Sequence, residues 1–474
     1  MGWVTARTPL IFQSKVLCLS LLYLLTTLPL SLYVSFSQTG CLFRSPPPTP
    51  KSKLFSYPSS YGEHKYALPT ARSKCTSPVL FSGEFSRFLI LLIQIFYFDR
   101  WVLFLGSEYR VAFEEIRDLI SNLSLASSSS SPVLRYQRGR GNSFAGNFST
   151  LRRKYFFNHS DDRVAIPCGF FKEFPIREYD RLAMEKCNGV VVASAIFGDH
   201  DKIRQPKGLG AQTLEAVCFF MFIDEPTLRT LTFHNILSDG EKEINKIGAW
   251  RIVRVPSREL PYENPAMNGV IPKHLTHRLF PNSKFSIWLD AKMQLTVDPL
   301  LLVHSLLISK DAGMAISKHP FNVHTMEEAM ATARWKKWGD VESLRLQMET
   351  YCENGLQPWS PSKLPYPTDV PDTALIIRKH GLASNLFSCL LFNELEAFNP
   401  RDQLAFAYVR DLMSPKLKIN MFEVEVFEHI AVEYRHNIKH EGSGQVATKM
   451  ASSRDITGSK CEGYLLKMWG ESNE

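Results

Sequence analysis

In the run FSIWLDAKMQL an apolar stretch stops at Asp290, and Lys292 follows two positions later. If the stretch is a β-strand, a carboxylate and an ammonium stand together at its carboxyl end, the edge where parallel sheets hold ligands. Such a pair can neutralise charge that builds up on an anionic leaving group such as a diphosphate. The ammonium does so directly, and the carboxylate does so by holding a divalent ion. Asp290 is therefore the candidate ligand for Mn2+ or Mg2+, and Lys292 the candidate for a metal-free route. The bland alternative is an aspartate that caps a turn beside a solvated lysine.

A strand end needs a sheet around it, and the chain from about Val164 to His440 has the texture of one. Short β-branched runs alternate with longer helical patterns, which predicts an α/β sheet domain. GVVVASAIF, EAVCFFMFID, WRIVRVP, AGMAISKHP and TALIIRKH read as strands. A helix carrying Lys273, His277 and Arg278 leads into FSIWL, and MEEAMATARWKKW, ESLRLQMETYCENG and the stretch from Ser384 to Met413 read as further helices. The polar loop GDHDKIRQPKGLG follows the first strand, which is the order strand then ligand loop. With 474 residues, 45% hydrophobic and 22% charged, the chain can bury a sizeable core. The net charge of +8 is spread without basic blocks, so nucleic acid is excluded as a first partner and anionic small ligands fit.

Ahead of this body, Val16 to Phe36 carries no charge over about the 20 residues a helix needs to cross hydrocarbon, and reads as a membrane anchor. A cleaved signal peptide is the rival, but the apolar run is too long for one. Residues 37–163 read as a stalk rich in Pro, Ser and Gly, interrupted at 83–107 by an apolar insertion that is a weak candidate for a second span. Glycosylation acceptors at Asn122, Asn147 and Asn158 favour a lumenal body behind a short cytoplasmic tail of residues 1–15. All nine cysteines but Cys18 then face an oxidising lumen. Cys168 with Cys187, or Cys218 with Cys352 or Cys389, are candidate bridges, and residues 441–474 read as a flexible tail in which CEGYLLKMWGE is a docking candidate.

The stretches GVVVASAIFGDHDKIRQPKGLG, CFFMFID, WLDAKMQL, AISKHP and NPRDQLAF, with YGEHKYALPTARSKCTSPVLFS in the stalk, make the chain resemble the plant TOD/MUCI glycosyltransferase-like family, named for turgor-regulation and mucilage phenotypes. The resemblance spans nearly all of 164–440 and implies a nucleotide-diphospho-sugar (GT-A-like) transferase fold on an N-terminal membrane anchor and stalk. It implies a single-pass type II protein of the Golgi membrane, a nucleotide-sugar donor and a glycan acceptor such as a cell-wall polysaccharide. Folds of this kind end a strand in Asp-x-Asp to bind a metal, whereas this chain has Asp290-Ala291-Lys292. By the same resemblance Asp199, His200, Asp201, Lys202 and Arg204 lie where base and ribose are held: carboxylates accept their hydrogen bonds, and Lys202, Arg204 or Lys207 meet phosphate. A solvated charged loop is the alternative.

His319 in SKHP is a candidate acceptor-side base or metal ligand, and Asp402 in NPRDQ either caps a helix or orients and deprotonates an acceptor hydroxyl. His436 and His440 share one helical face without a clear third ligand. The function expected is a hexosyltransferase. The alternatives are an alkaline ceramidase-like lipid amidohydrolase, an activity attributed to the same family, and a non-catalytic Golgi scaffold that keeps the fold. Membrane-embedded ceramidases present metal-binding His and Asp among several spans, which this chain lacks.

Overall fold

The computed structural model describes residues 19–25, 27, 114–121, 134–139, 143–161, 163–237, 246–335, 337–434, 461 and 463. The insertion at 83–107, Asn122, His436, His440 and most of the 16–36 stretch lie outside them. Residues 19–25 and 27 are helical, and no helix among the described residues is long and apolar enough to cross a membrane.

The strands are β1 (Val190–Ile196), β2 (Val217–Ile223), β3 (Lys246–Ile247), β4 (Trp250–Arg254), β5 (Phe285–Leu289), β6 (Met293–Leu295), β7 (Met314–Lys318), β8 (Pro371–Lys379), β9 (Ile419–Phe422) and β10 (Ala431–Glu433). Eight of them form one sheet in the order β3-β4-β2-β1-β5-β8-β7-β9, and β6 pairs with β10 in a small antiparallel ribbon. β4, β2, β1 and β5 are parallel neighbours, and β8 runs against both β5 and β7. The runs VVVASAI and VCFFMFI are apolar almost throughout because both faces of the sheet are covered. Alternation still sorts them. Val191, Ala193, Phe220 and Phe222 enter one core, while Val190, Val192, Phe219 and Met221 enter the other.

The helices that matter for the site lie over the first core. They are α1 (Thr150–Tyr155), α2 (Pro265–His274), α3 (Thr325–Arg334), α4 (Val341–Glu353), α5 (Leu382–Ala397) and α6 (Asp402–Leu412). The helix expected to carry Lys273, His277 and Arg278 breaks at Leu275, so His277 and Arg278 belong to a separate short turn, Thr276–Leu279. α2 packs on β1 and α5, and α6 packs on α3 and α5.

Three readings of the sequence change. The folded body reaches upstream of Val164: Leu134, Phe144, Phe156 and Phe157 are buried in the first core, and Arg153 of α1 forms a 2.9 Å buried ion pair with Glu394. Further upstream, Ile116, within the helical stretch 114–121, is buried against the second core. These aromatics are spaced among Gly, Ser and Arg with no helical or strand period, so pattern alone reads as stalk. Among the described residues the disulfides are Cys168–Cys389, Cys187–Cys218 and Cys352–Cys461, not the pairings considered from sequence. Cys187 precedes β1 and Cys218 opens β2, its parallel neighbour, so strand register brings them together. Cys461, in the presumed tail, is buried in the first core and bonded to α4.

Replacing Phe156 by Ala will lower the unfolding free energy by about 3–5 kcal/mol, as for a buried aromatic, where a stalk residue would change it by about 0.5 or less. Urea titration of the two proteins measures the difference.

Candidate active site

β1 is followed in the sheet by β2 and β4 on one side, and by β5 on the other. The connections leaving β1 and β5 therefore part company, and a crevice opens at the carboxyl ends of these two strands. A cleft of about 370 Å³ occupies that place, lined by Ile196 and Phe197 from the end of β1 and by Trp288 and Asp290 from the end of β5. His200 and Asp201 of the loop after β1, Lys273 of α2, Lys337, Trp338, Arg401 and Asp402 complete its charged and aromatic walls. The chain leaves β1 abruptly because Gly198 and Asp199 both take left-handed backbone angles, φ +72° and +55°, and the Gly198 amide donates to Asp224 Oδ2 at 2.6 Å.

Lys273 is the centre of the site. Its Nζ lies 2.8 Å from Asp402 Oδ2 and 3.4 Å from Asp290 Oδ1, and 3.3 Å from Thr373 Oγ1. The Thr373 hydroxyl donates to Asp402 Oδ1 at 2.8 Å, and the Trp288 indole N–H donates to Asp290 Oδ1 at 2.7 Å. Behind them Arg378 donates to His274 Nδ1 at 3.3 Å, which leaves Nε2 as the protonated nitrogen facing Asp402 Oδ2, also at 3.3 Å. Burial pushes the His274 imidazole down to about 4, against the pull of Asp402, so it is neutral at ordinary pH. Burial alone would raise the Asp402 carboxyl, but Lys273 and His274 outweigh it and hold it well below the usual carboxylate range. Burial likewise opposes the Lys273 charge, and Asp290 and Asp402 outweigh it, so the ammonium is held above the usual lysine value.

The structure brings some of the sequence candidates together and sets others apart. Asp290 and Asp402 share the Lys273 ammonium. Asp402 is the first residue of α6 and makes no cap bond to it; both its oxygens are occupied by neighbours, which makes it an anchor for Lys273 rather than a ready proton acceptor. Lys292 pairs with Glu433 Oε1 at 3.0 Å and is not among the lining residues. Burial lowers its charge preference, but Glu433, Asp290 and Asp372 together keep it raised. His319 lies behind the wall: its Nδ1 accepts from the amides of Phe321 and Asn322, and its Nε2 is 3.7 Å from Glu328.

Of the loop after β1, His200 and Asp201 line the cleft. Asp199 instead accepts from the Thr230 hydroxyl at 2.8 Å, and Lys202 and Arg204 are buried. The Arg204 guanidinium stacks 3.6 Å over the Tyr434 ring, which ties the loop to the end of the domain. Asn147 and Asn158 are exposed. Sequence reasoning assigned no role to Lys273, Lys337, Arg401 or Trp288. Lys273 and His274, two basic residues ending a mostly apolar helix ahead of β5, were the available signal for the first.

The residues do not fit a divalent metal. Among the described residues the only group of three or more His, Cys, Asp or Glu whose donor atoms converge is Cys168, His277 and Cys389, and there the two sulfurs are joined in a disulfide. An ion on Asp290 would also face the Lys273 ammonium. At about 4 Å and an effective dielectric near 20 that repulsion is on the order of 8 kcal/mol.

With the geometry in place, comparison with known proteins adds kinship. Residues 129–436 match the TOD1/MUCI70, glycosyltransferase-like domain. The chain is 56% identical over 486 aligned positions to alkaline ceramidase TOD1 of Arabidopsis thaliana, covering 98% of each. It is 38% identical over 320 positions to probable hexosyltransferase MUCI70 of the same plant, covering 65% of this chain and 54% of that protein. Among solved structures, mouse xyloside xylosyltransferase 1 in its apo form aligns with 49% of this chain and 85% of its own at 10% identity and a TM-score of 0.27. The mannosyltransferase Ktr4p of S. cerevisiae aligns with 76% of this chain and 99% of its own at 11% identity and a TM-score of 0.22, and likenesses this weak say nothing about the site.

Acid will destabilise the fold in two stages. From about pH 6.5 to 4 the unfolded chain takes up a proton that folded His274 refuses. Below about pH 4, the ordinary carboxylate value, the stability that Asp402 contributes is progressively lost, because the unfolded chain takes up a proton that the depressed folded carboxyl still refuses. Asp402→Asn will shrink the second stage, to which Glu328 and Asp411 also contribute, and cost about 3–5 kcal/mol at pH 7, because Lys273 keeps its charge with one partner gone. Denaturant titrations from pH 8 to 3 measure both.

Proposed function

The chain belongs to the TOD1/MUCI70 glycosyltransferase-like family, and on that premise we propose that it is a hexosyltransferase, moving a sugar from a nucleotide-sugar donor to a glycan acceptor such as a cell-wall polysaccharide. The observation that carries this reading is the meeting of Asp290, Lys273, Lys337 and Arg401 in the crevice between the carboxyl ends of β1 and β5. A nucleoside diphosphate brings at least two negative charges, and a cleft with three cationic side chains in its walls suits it. Ile196, Phe197 and Trp338 offer apolar surface for a base or a sugar ring. The strand order, with a switch point beside β1 and an antiparallel strand beyond β5, is compatible with the GT-A-like architecture that the sequence resembles.

Placement in the Golgi lumen as a single-pass type II membrane protein belongs to the same proposal. Three disulfides suit an oxidising compartment, the acceptor asparagines Asn147 and Asn158 are exposed, and an uncharged run from Val16 to Phe36 precedes the body. The name of the relative at 56% identity favours a second reading, hydrolysis of a ceramide amide. That reaction needs apolar surface for two alkyl chains as well as an activated water, and the charged walls of the cleft give it no advantage.

A thermal-shift panel of nucleotide-sugars on the full-length protein tests the first reading. The correct donor at about 100 times its Kd will stabilise the fold by about 2.7 kcal/mol, and Lys273→Met will reduce that shift. Release of fatty acid from ceramide, with no response to any nucleotide-sugar, would replace the first reading by the second. Neither activity would leave a scaffold that has kept the fold.

A further inference from the structure

The position after a central strand where Asp-x-Asp enzymes hold a metal is filled in this protein by fixed positive charge. Lys273 lines the cleft from α2, and its ammonium sits against Asp290, the residue at the tip of β5. It is also held by Asp402 and Thr373, so its place does not depend on a ligand. Of its two carboxylate contacts the one to Asp290, at 3.4 Å, is the longer, and a phosphate oxygen entering the cleft can take that direction. Arg401 and Lys337 line the same cleft and are held at 2.7 Å and 3.4 Å by Glu328, a fully buried carboxylate of α3. Lys292 adds a further ammonium within electrostatic reach of Asp290. Asp290, Asp402 and Glu328 are therefore committed to cations of the protein itself.

We propose that the Lys273 ammonium, with Arg401 and Lys337 in the same cleft, supplies the positive charge a leaving diphosphate needs, so that donor binding and sugar transfer run without a divalent cation. This rests on the transferase reading and specifies its chemistry. As the bond from the anomeric carbon to the diphosphate oxygen breaks, its electron pair passes to that oxygen. The acceptor hydroxyl forms the new bond to the anomeric carbon and gives up its proton. Nucleotide-sugar and acceptor alcohol become glycoside, nucleoside diphosphate and one proton. Lys273 stabilises the charge left on the diphosphate at a site where it need not reorganise.

The test uses full-length protein with inorganic pyrophosphate as the binding probe, followed by calorimetry, and nucleoside diphosphate release from the donor that the panel identifies as the turnover assay. Wild-type protein treated with EDTA will bind pyrophosphate within about 2-fold of untreated protein and keep its turnover, since none of the cations involved can be chelated. Lys273→Met will lower turnover about 100-fold, as loss of one donor to a developing anion does, and Lys273→Arg will restore part of it. Loss of binding and turnover in EDTA with recovery on adding Mn2+ would overturn the inference while leaving the transferase reading in place. Wild-type turnover in Lys273→Met would overturn it equally. Should that variant fail to fold, the chelation arm decides on wild-type protein alone. A wild-type protein that binds neither pyrophosphate nor any nucleotide-sugar would overturn the transferase reading, and this inference with it.

Discussion

An ammonium shared between two carboxylates holds this molecule together at its working edge. Lys273 comes from α2, Asp290 from the tip of β5, the next strand, and Asp402 from the start of α6, far along the chain. A charge this buried is tolerable only when it is paired, and removing any one partner strands the others. The pairing therefore ties α2 and α6 to the carboxyl end of β5. It also places the charge at the mouth of the cleft, so structural and chemical demands fall on the same atoms. Thr373 of β8, His274 and Arg378 extend the network inward and leave Asp402 no oxygen to spare.

The sheet makes room for that arrangement. Reversal of strand order at β1 opens the crevice, and the loop that leaves β1 is strapped down so that it does not fill it. The Trp250 indole donates to the Arg204 carbonyl at 2.7 Å, and Gln294 Nε2 donates to the Gln205 carbonyl at 2.9 Å. With Arg204 stacked on Tyr434, this binds the loop to β4, β6 and the end of the domain. Only the part of the loop near His200 and Asp201 faces the ligand space. The family joins relatives whose names point to different chemistries, a ceramidase and a hexosyltransferase. A fold can host either, so the decision lies in the side chains of the cleft.

What the amino-acid order determined by itself was local. Apolar β-branched runs such as VVVASAI must be buried on both faces, which announced a covered sheet, and FSIWLD had to end where a carboxylate could meet solvent or a ligand. Those are properties of neighbouring residues, readable from period and composition, and the family resemblance rested on the same runs. The partners of each charge were a different matter. Lys292 stands two residues from Asp290 in sequence, yet its side chain pairs with Glu433, while the ammonium beside Asp290 comes from Lys273. Cys187 met Cys218 through strand register, and Phe156 entered the core from a segment with no period at all. Contacts between residues remote in the chain depend on how helices cross the sheet, and nothing in local spacing encodes that crossing. Tertiary structure alone therefore decided which carboxylate anchors, which ammonium faces the cleft, and which charged residues serve only to hold the walls.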